Sequence, residues 1–178
     1  MKKLVLIHVL WSLVLMGLMI LLKHWFDVRM ALILLSGAVV GSILPDIDHL
    51  IYIYLSKPDE SYSQEISSLI NQRKFSLALD RISFARQDRK NLLFHNVLFQ
   101  LLFIVFAYLV VSSNTNLFGR GLVLAFSLHL SIDQLIDLVK VGNIDNWFSN
   151  VKISLRKEQQ TFFWVVNLLI IFLFSFLF

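Results

Sequence analysis

The residues of this sequence that could carry out chemistry are histidines and aspartates embedded in long apolar segments. An aspartate at the centre of a membrane-spanning helix costs about 2.5–3.5 kcal/mol, so such residues mark a function or a buried partner. Only one basic residue, Arg120, lies within these segments, and it is near one end of its own. A bound cation is the natural compensation for such carboxylates and imidazoles. The residues are His8, Asp46, Asp48, His49, His95, His129, Asp133 and Asp137.

The spacing of these residues favours a shared site. His129 and Asp133 are four residues apart, so on a helix they share one face and can offer two ligands to one ion. Pro45 tends to break a helix, because it lacks an N–H and clashes with the preceding turn. We expect a break there to let Asp46, Asp48 and His49 point toward one cavity, since irregular backbone is tolerated where it lines a cavity.

The mixture of imidazoles and carboxylates, with no cysteine in the chain, limits the choice of metal. Zinc, manganese and iron accept such ligands, whereas an all-oxygen site suits magnesium or calcium better. Six or seven candidate ligands are enough for one ion or for two. Two ions about 3.5–4 Å apart can clamp a phosphoryl oxygen between them.

Five apolar segments must position these residues. The chain has 178 residues, of which 57% are hydrophobic. A membrane-spanning helix needs roughly 20 residues to cross about 30 Å of hydrocarbon. We therefore predict an all-α polytopic membrane helix bundle of about five spans, forming one membrane domain over residues 1–178, with a cytoplasmic amphipathic insert. The spans are expected at 4–22, 30–55, 92–112, 117–139 and 161–178, and the polar insert at 56–91.

The distribution of Lys and Arg predicts the orientation of the bundle. Alternate loops carry 13 of these residues on one side of the membrane and 3 on the other. The positive-inside rule then makes the N-terminus and the insert cytoplasmic and leaves the C-terminus outside. With a rise of 1.5 Å per residue, the candidate ligands all fall within roughly 7–17 Å of the cytoplasmic helix ends. The net charge of +4 is modest and indicates loop topology rather than binding to nucleic acid.

Three motifs follow one another along the chain after His8. They are Leu-Pro-Asp-Ile-Asp-His within Gly41–His49, Phe-His-Asn at the end of Arg89–Asn96, and His-x-x-x-Asp at His129–Asp133. Over about residues 1–140 they resemble the YdjM-like family of bacterial inner-membrane metal-dependent hydrolases, itself distantly similar to zinc-dependent phospholipase C. The resemblance implies a bacterial inner membrane, one or two ions with zinc ahead of manganese or iron, and hydrolysis. It implies metal roles for His8, Asp46, Asp48, His49, His95, His129 and Asp133.

The chain departs from the family's second motif. Arg89 and Lys90 stand where the family has His and Arg, and Asn96 stands where it has Ser. We expect either basic residue to steer an anionic head group toward the site, because it lies just outside the bilayer. Asp46 is our candidate general base, since it is the least certain of the ligands. The predicted function is cleavage of a phosphoester or lipid-linked substrate at the cytoplasmic leaflet, with membrane lipid as the partner.

Two other functions compete with hydrolysis. Intramembrane Asp and His also build cation or proton pathways, although the outer half of these helices supplies almost no ionisable residues. A non-catalytic scaffold would use the basic insert and would need no metal. Single residues have structural interpretations too: His8 as a hydrogen-bonding partner between helices, Asp46 as a helix cap, and Asp137 as a solvated interfacial carboxylate. The oligomeric state is not predicted by any of these patterns.

Overall fold

The computed structural model describes residues 2–84, 92–113, 116–151 and 153–177. Every regular element in these ranges is helical. The α-helices are α1 (Lys2–Leu22), α2 (Val28–Ile43), α3 (Ile47–Ile51), α4 (Ser61–Asn71), α5 (Phe75–Phe84), α6 (Val97–Ser112), α7 (Leu117–Lys140) and α8 (Lys157–Phe176). Shorter turns are a 3-10 turn at Leu44–Asp46, a π turn at Tyr52–Ser56 and a 3-10 turn at Asp145–Phe148.

Among the described residues, four helical stretches are long and apolar enough to cross a membrane. They are Lys3–Leu22, Val28–Ser56, Leu117–Lys140 and Lys157–Phe176. Helix α6 is also apolar but has 16 residues. At a rise of 1.5 Å per residue its length is about 24 Å, which is shorter than the roughly 30 Å of hydrocarbon in a bilayer. The prediction of an all-helical membrane bundle is confirmed.

Two helices begin four or five residues from the expected positions, whereas α1 and α2 begin two residues early and α7 begins where expected. Helix α6 starts at Val97 rather than at 92, because Asn96 is extended and its Oδ1 accepts the N–H of Phe99 at 2.9 Å. Helix α8 starts at Lys157 rather than at 161, because the Gln159 side chain accepts the Arg156 N–H at 2.9 Å. Side-chain acceptors of this kind satisfy amides at a helix start that have no partner within the helix.

The helix break expected at Pro45 is a tightened turn instead. The stretch Val28–Ser56 runs on through the 3-10 turn Leu44–Asp46. Pro45 occupies the first turn of that 3-10 helix, where the amides lack intrahelical partners, so its missing N–H is tolerated. The stretch therefore stays helical, and the tighter pitch of the 3-10 turn changes which way the next side chains point.

Helices α2 and α7 lie in very close contact along a stripe of glycines. A Cβ added at Gly37 would lie 2.1 Å from the Phe118 carbonyl oxygen, and one at Gly41 would lie 2.1 Å from that of Leu122. On α7, a Cβ added at Gly121 would likewise lie 2.3 Å from the Leu34 carbonyl oxygen of α2. Small residues let membrane helices approach backbone to backbone. This contact sets the backbone of α2 directly against α7 near the polar cluster.

The insert forms a small helical layer that packs against the π turn Tyr52–Ser56. Its helices α4 and α5 bury an apolar cluster made of Ile53, Ile66, Ala78 and Ile82. The Tyr52 hydroxyl donates to a Glu60 carboxylate oxygen at 2.6 Å and ties the loop after the π turn to the same layer. The amphipathic helices predicted for 56–91 are therefore present as α4 and α5. Arg89 and Lys90 lie outside the described residues.

Candidate metal centre

Three histidine rings converge on the carboxylate of Asp133. The Nε2 atom of His8 lies 3.2 Å from Asp133 Oδ1. The Nε2 atoms of His95 and His129 lie 3.0 and 3.5 Å from Asp133 Oδ2. His8, His129 and Asp133 are almost completely buried. Their ligand atoms all lie within 4.8 Å of one another, so this group could hold a metal ion.

Each member of the centre comes from a different part of the bundle, apart from the pair on α7. His8 lies on α1, and its ring stacks on that of His129 with 3.8 Å between the centroids. His129 and Asp133 are one turn apart on α7. His95 precedes α6, in the bend that Asn96 ends. The helices thus bring His8, His95, His129 and Asp133 to one depth, as their positions along the sequence indicate.

The backbone of α2 fixes the proton on His129. The Nδ1–H of His129 donates to the Ser42 carbonyl oxygen at 2.7 Å. A carbonyl oxygen only accepts hydrogen bonds, so Nδ1 must carry a proton. In the neutral ring, Nε2 then presents its lone pair to Asp133 and has no hydrogen-bond partner within the described ranges. This is the tautomer that a metal-ligating histidine uses, with its other nitrogen held by an outer partner.

Asp48 holds the segment that carries His95. Its two carboxylate oxygens accept the backbone N–H groups of Leu93 at 2.8 Å, of Phe94 at 2.7 Å and of His95 at 3.1 Å. Its Oδ2 also lies 3.0 Å from His95 Nδ1. Consecutive backbone amides of this kind make a concave site for an anion. Asp48 is thus occupied by the backbone and by the ring that it orients.

These contacts bring lone pairs and carboxylate oxygens together at the centre, and a positive charge is needed to stabilise them. When His95 donates its Nδ1–H to Asp48, its Nε2 lone pair faces Asp133 Oδ2 at 3.0 Å. Two lone pairs at that distance repel each other unless a positive charge lies with them. The same holds for His129 Nε2, which lies near two carboxylates. A proton on an imidazole or a divalent cation shared by the three rings supplies this charge.

Asp46 and His49 form the outer edge of the cluster. Asp46 Oδ1 lies 3.9 Å from His129 Nε2 and 3.9 Å from His49 Nε2. The ring of His49 stacks over that of His95 with 5.5 Å between the centroids. Asp46 makes no side-chain cap to α3, so the interpretation as a helix cap is wrong. Its backbone is already helical at the 3-10 turn, which removes the extended geometry that a cap needs.

A small cavity of about 30 Å³ lies beside the centre, bounded by His49, His95, Asp133 and residues of the loop after α7. A water molecule needs roughly 10–15 Å³ of such volume together with polar partners, so a water fits next to the rings. The loop supplies Trp147, whose ring meets His95 edge-on at 5.5 Å. The Trp147 Nε1–H donates to Asp137 at 2.9 Å, so Asp137 holds this wall.

The loop itself is anchored to α8 by Gln160. The Gln160 Oε1 accepts the Ile144 N–H at 2.7 Å, and its Nε2 donates to Asp145 at 2.8 Å and to the Leu155 carbonyl at 2.9 Å. The side chain is nearly fully buried. By fixing both ends of the loop, Gln160 holds Trp147 against the histidines.

A second polar layer, formed by two buried glutamines, lies beside the centre and was not predicted. The amide of Gln134 donates to Gln100 Oε1 at 2.7 Å, and that of Gln100 donates back at 3.4 Å. Beyond this pair the core is mostly apolar, with Leu15, Met16 and Leu124 among its members, but it also buries the polar side chains of Ser127 and Asn167. A glutamine inside an apolar helix is the sequence signal that could have revealed the layer.

Comparison with known proteins identifies no relative: no family model matches the chain, and no curated protein or solved structure matches it. The resemblance carried by the three motifs therefore stays a prediction.

Proposed function

We propose that this protein is a membrane-embedded metal-dependent hydrolase that cleaves a phosphoester in a lipid or lipid-linked substrate. The observation that carries the proposal is the convergence of three imidazole Nε2 atoms on one buried carboxylate. Three histidines and one aspartate make a ligand set that suits zinc, and manganese or iron accept it as well. We assign His8, His95, His129 and Asp133 as the ligands.

The residues around these ligands have orienting roles in this proposal. Ser42 and Asp48 each hold the far nitrogen of a ligating ring, which fixes the tautomer and the direction of the lone pair. Asp48, one of the ligands implied by the resemblance, becomes an orienting group because its oxygens are already engaged. His49 lies at the rim, where it can contact a substrate.

The chain also offers a base. Asp46 Oδ2 is buried and has no hydrogen-bond partner among the residues that the structure describes. The other oxygen of this carboxylate, Oδ1, lies at the edge of the centre, 3.9 Å from both His129 Nε2 and His49 Nε2. When bound, a divalent ion supplies Lewis acidity and activates water at neutral pH. Asp46 would accept the proton of the attacking water, as a general base must.

The proposal includes the orientation from the sequence, with the N-terminus cytoplasmic in a bacterial inner membrane. A proton or cation pathway is the second candidate, because His95 bridges the carboxylates of Asp48 and Asp133. Such a pathway must continue across the bilayer. Beyond the Gln100–Gln134 pair the buried polar groups that we can trace are neutral side chains such as Ser127 and Asn167, set among apolar residues, so hydrolysis is the function that we favour.

The experiment that tests this function uses metal-loaded protein in liposomes made from a mixed phospholipid extract. Cleavage products are followed by mass spectrometry. We expect water-soluble phosphoesters or phosphate to accumulate with wild-type protein. His129→Ala should abolish them, and His24→Ala, an exposed histidine at the other end of α1, should not. Equal product from both variants would overturn the site, and an ion flux without product would favour the pathway.

A further inference from the structure

A second, larger cavity adjoins the outer edge of the metal centre. It has a volume of about 500 Å³ and lies between the stretch Val28–Ser56 and the insert. Ligand cavities in proteins are typically roughly 300–1,000 Å³ and mostly apolar. Asp46 and His49 belong to its wall, so the cavity and the cluster share these two residues.

One wall of this cavity is a stripe along a single helix face. Ile43, Ile47, Leu50 and Tyr54 follow one another at intervals of three or four residues and all line the space. At 1.5 Å per residue the stripe is about 16 Å long. The facing wall consists of insert side chains, among them Ala78 and Leu79. The space is therefore long, apolar along its sides and polar where it meets the cluster.

The side chains of the rim are exposed to the surroundings of the bundle. Ile47 is 43% exposed, Leu50 is 46% exposed and Phe75 is 56% exposed. In a membrane helix such surfaces contact hydrocarbon, so a lipid chain can enter from the side without crossing water. Acyl chains of phospholipids are the ligand at the highest local concentration there. Their apolar chain and polar ester match the apolar sides and the polar end.

We propose that this cavity binds one acyl chain of a phospholipid and presents the head-group ester to Asp46 and His49. The inference deepens the proposed function, on which its catalytic meaning rests, and it names phospholipids as the substrate class. The proposal gives the insert a role in substrate binding. It supplies the second wall of the chain site, with Ala78 small enough to leave the space open.

The experiment labels the purified protein in a mild detergent with phosphatidylglycerol that carries a diazirine on one acyl chain. Cross-linked peptides are mapped by mass spectrometry. We expect labelling of the segment Phe75–Ile82. Leu50→Trp, which fills the space, should lower the labelling about tenfold. That is the loss in affinity expected when a few methylenes of the acyl chain are no longer buried in the cavity. Leu55→Trp is the matched control, because Leu55 is 76% exposed on the same stretch and does not line the cavity. Leu79→Trp repeats the test from the opposite wall.

The outcomes separate this inference from the proposed function. His129→Ala should keep the labelling and lose turnover, since the chain site does not use that ring. The acyl-chain site is overturned, even where turnover is found, if labelling is unchanged in both tryptophan variants. It is also overturned if unlabelled polyprenyl phosphate or an apolar peptide displaces the label and unlabelled phospholipid does not. If labelling falls in the two cavity-filling variants and not in the control, and no turnover is found, the result supports the chain site and contradicts the hydrolase.

Discussion

His129 and Ser42 are joined by a hydrogen bond of 2.7 Å from the imidazole Nδ1–H to a backbone carbonyl. The bond couples α7 to the last turn of α2 and leaves His129 Nε2 as the atom that faces Asp133. No side-chain substitution can remove the carbonyl itself. The hydrogen bond depends instead on the distance between α2 and α7, so a substitution at the contact of these two helices tests the coupling.

Gly41→Ala should separate α2 from α7. The added Cβ would meet the Leu122 carbonyl oxygen at 2.1 Å, and backbone cannot yield cheaply. We expect a loss of about 1–3 kcal/mol in the free energy of unfolding, as for other overpacked sites, and weaker metal binding, both measured on purified protein in detergent. Gly17→Ala is the control, since a Cβ there meets no atom within 4 Å. Equal behaviour of the two variants would contradict the role given to the glycine contact.

Asp48→Asn should weaken metal binding without removing a ligand. The amide keeps the size of the carboxylate but cannot accept through both atoms from the three backbone N–H groups and His95. Loss of such an outer partner typically costs about 10–100-fold in metal affinity. Competition with a chelator measures the change. Asp137→Asn should bind metal normally, because its amide oxygen can still accept from Trp147.

Gln160→Ala should loosen the loop that holds Trp147. The substitution leaves the Ile144 N–H without its acceptor in a buried setting, which costs about 1–3 kcal/mol. A lower thermal midpoint and greater quenching of tryptophan fluorescence are expected. Thr161→Ala, an exposed neighbour that bonds only to its own helix, should change stability by no more than about 0.5 kcal/mol. An unchanged midpoint for Gln160→Ala would show that the loop is held by other contacts.

The orientation can be read with reporter fusions. The Lys and Arg bias predicts that fusions after residues 22, 56, 114 and 178 report outside, inside, outside and outside. If the fusion after residue 56 reports outside, the orientation of the bundle is the reverse of the one predicted. The insert, with its proposed chain site, would then lie at the outer leaflet.

The sequence predicts the helical bundle, and it predicts that His8, His95, His129 and Asp133 lie at a similar depth, because the loop charges orient the segments and helix rise sets the distance from their ends. It does not predict the role of Asp48, since the partners of that carboxylate are backbone amides of a bend that has no periodic signal. Ser42 acts through its carbonyl, which every residue has, so its type carries no information. Trp147 reaches His95 only because the loop after α7 folds back, a tertiary feature invisible in local pattern.

The central claim is that His8, His95, His129 and Asp133 hold one divalent ion, and X-ray absorption at the edge of the bound metal tests it most directly. Zinc-loaded protein should show nitrogen and oxygen neighbours at about 2.0–2.2 Å, with the outer-shell scattering of several imidazoles. That scattering should weaken in His129→Ala and persist in His24→Ala. Bound zinc without imidazole scattering, or with the same spectrum in both variants, would contradict the account.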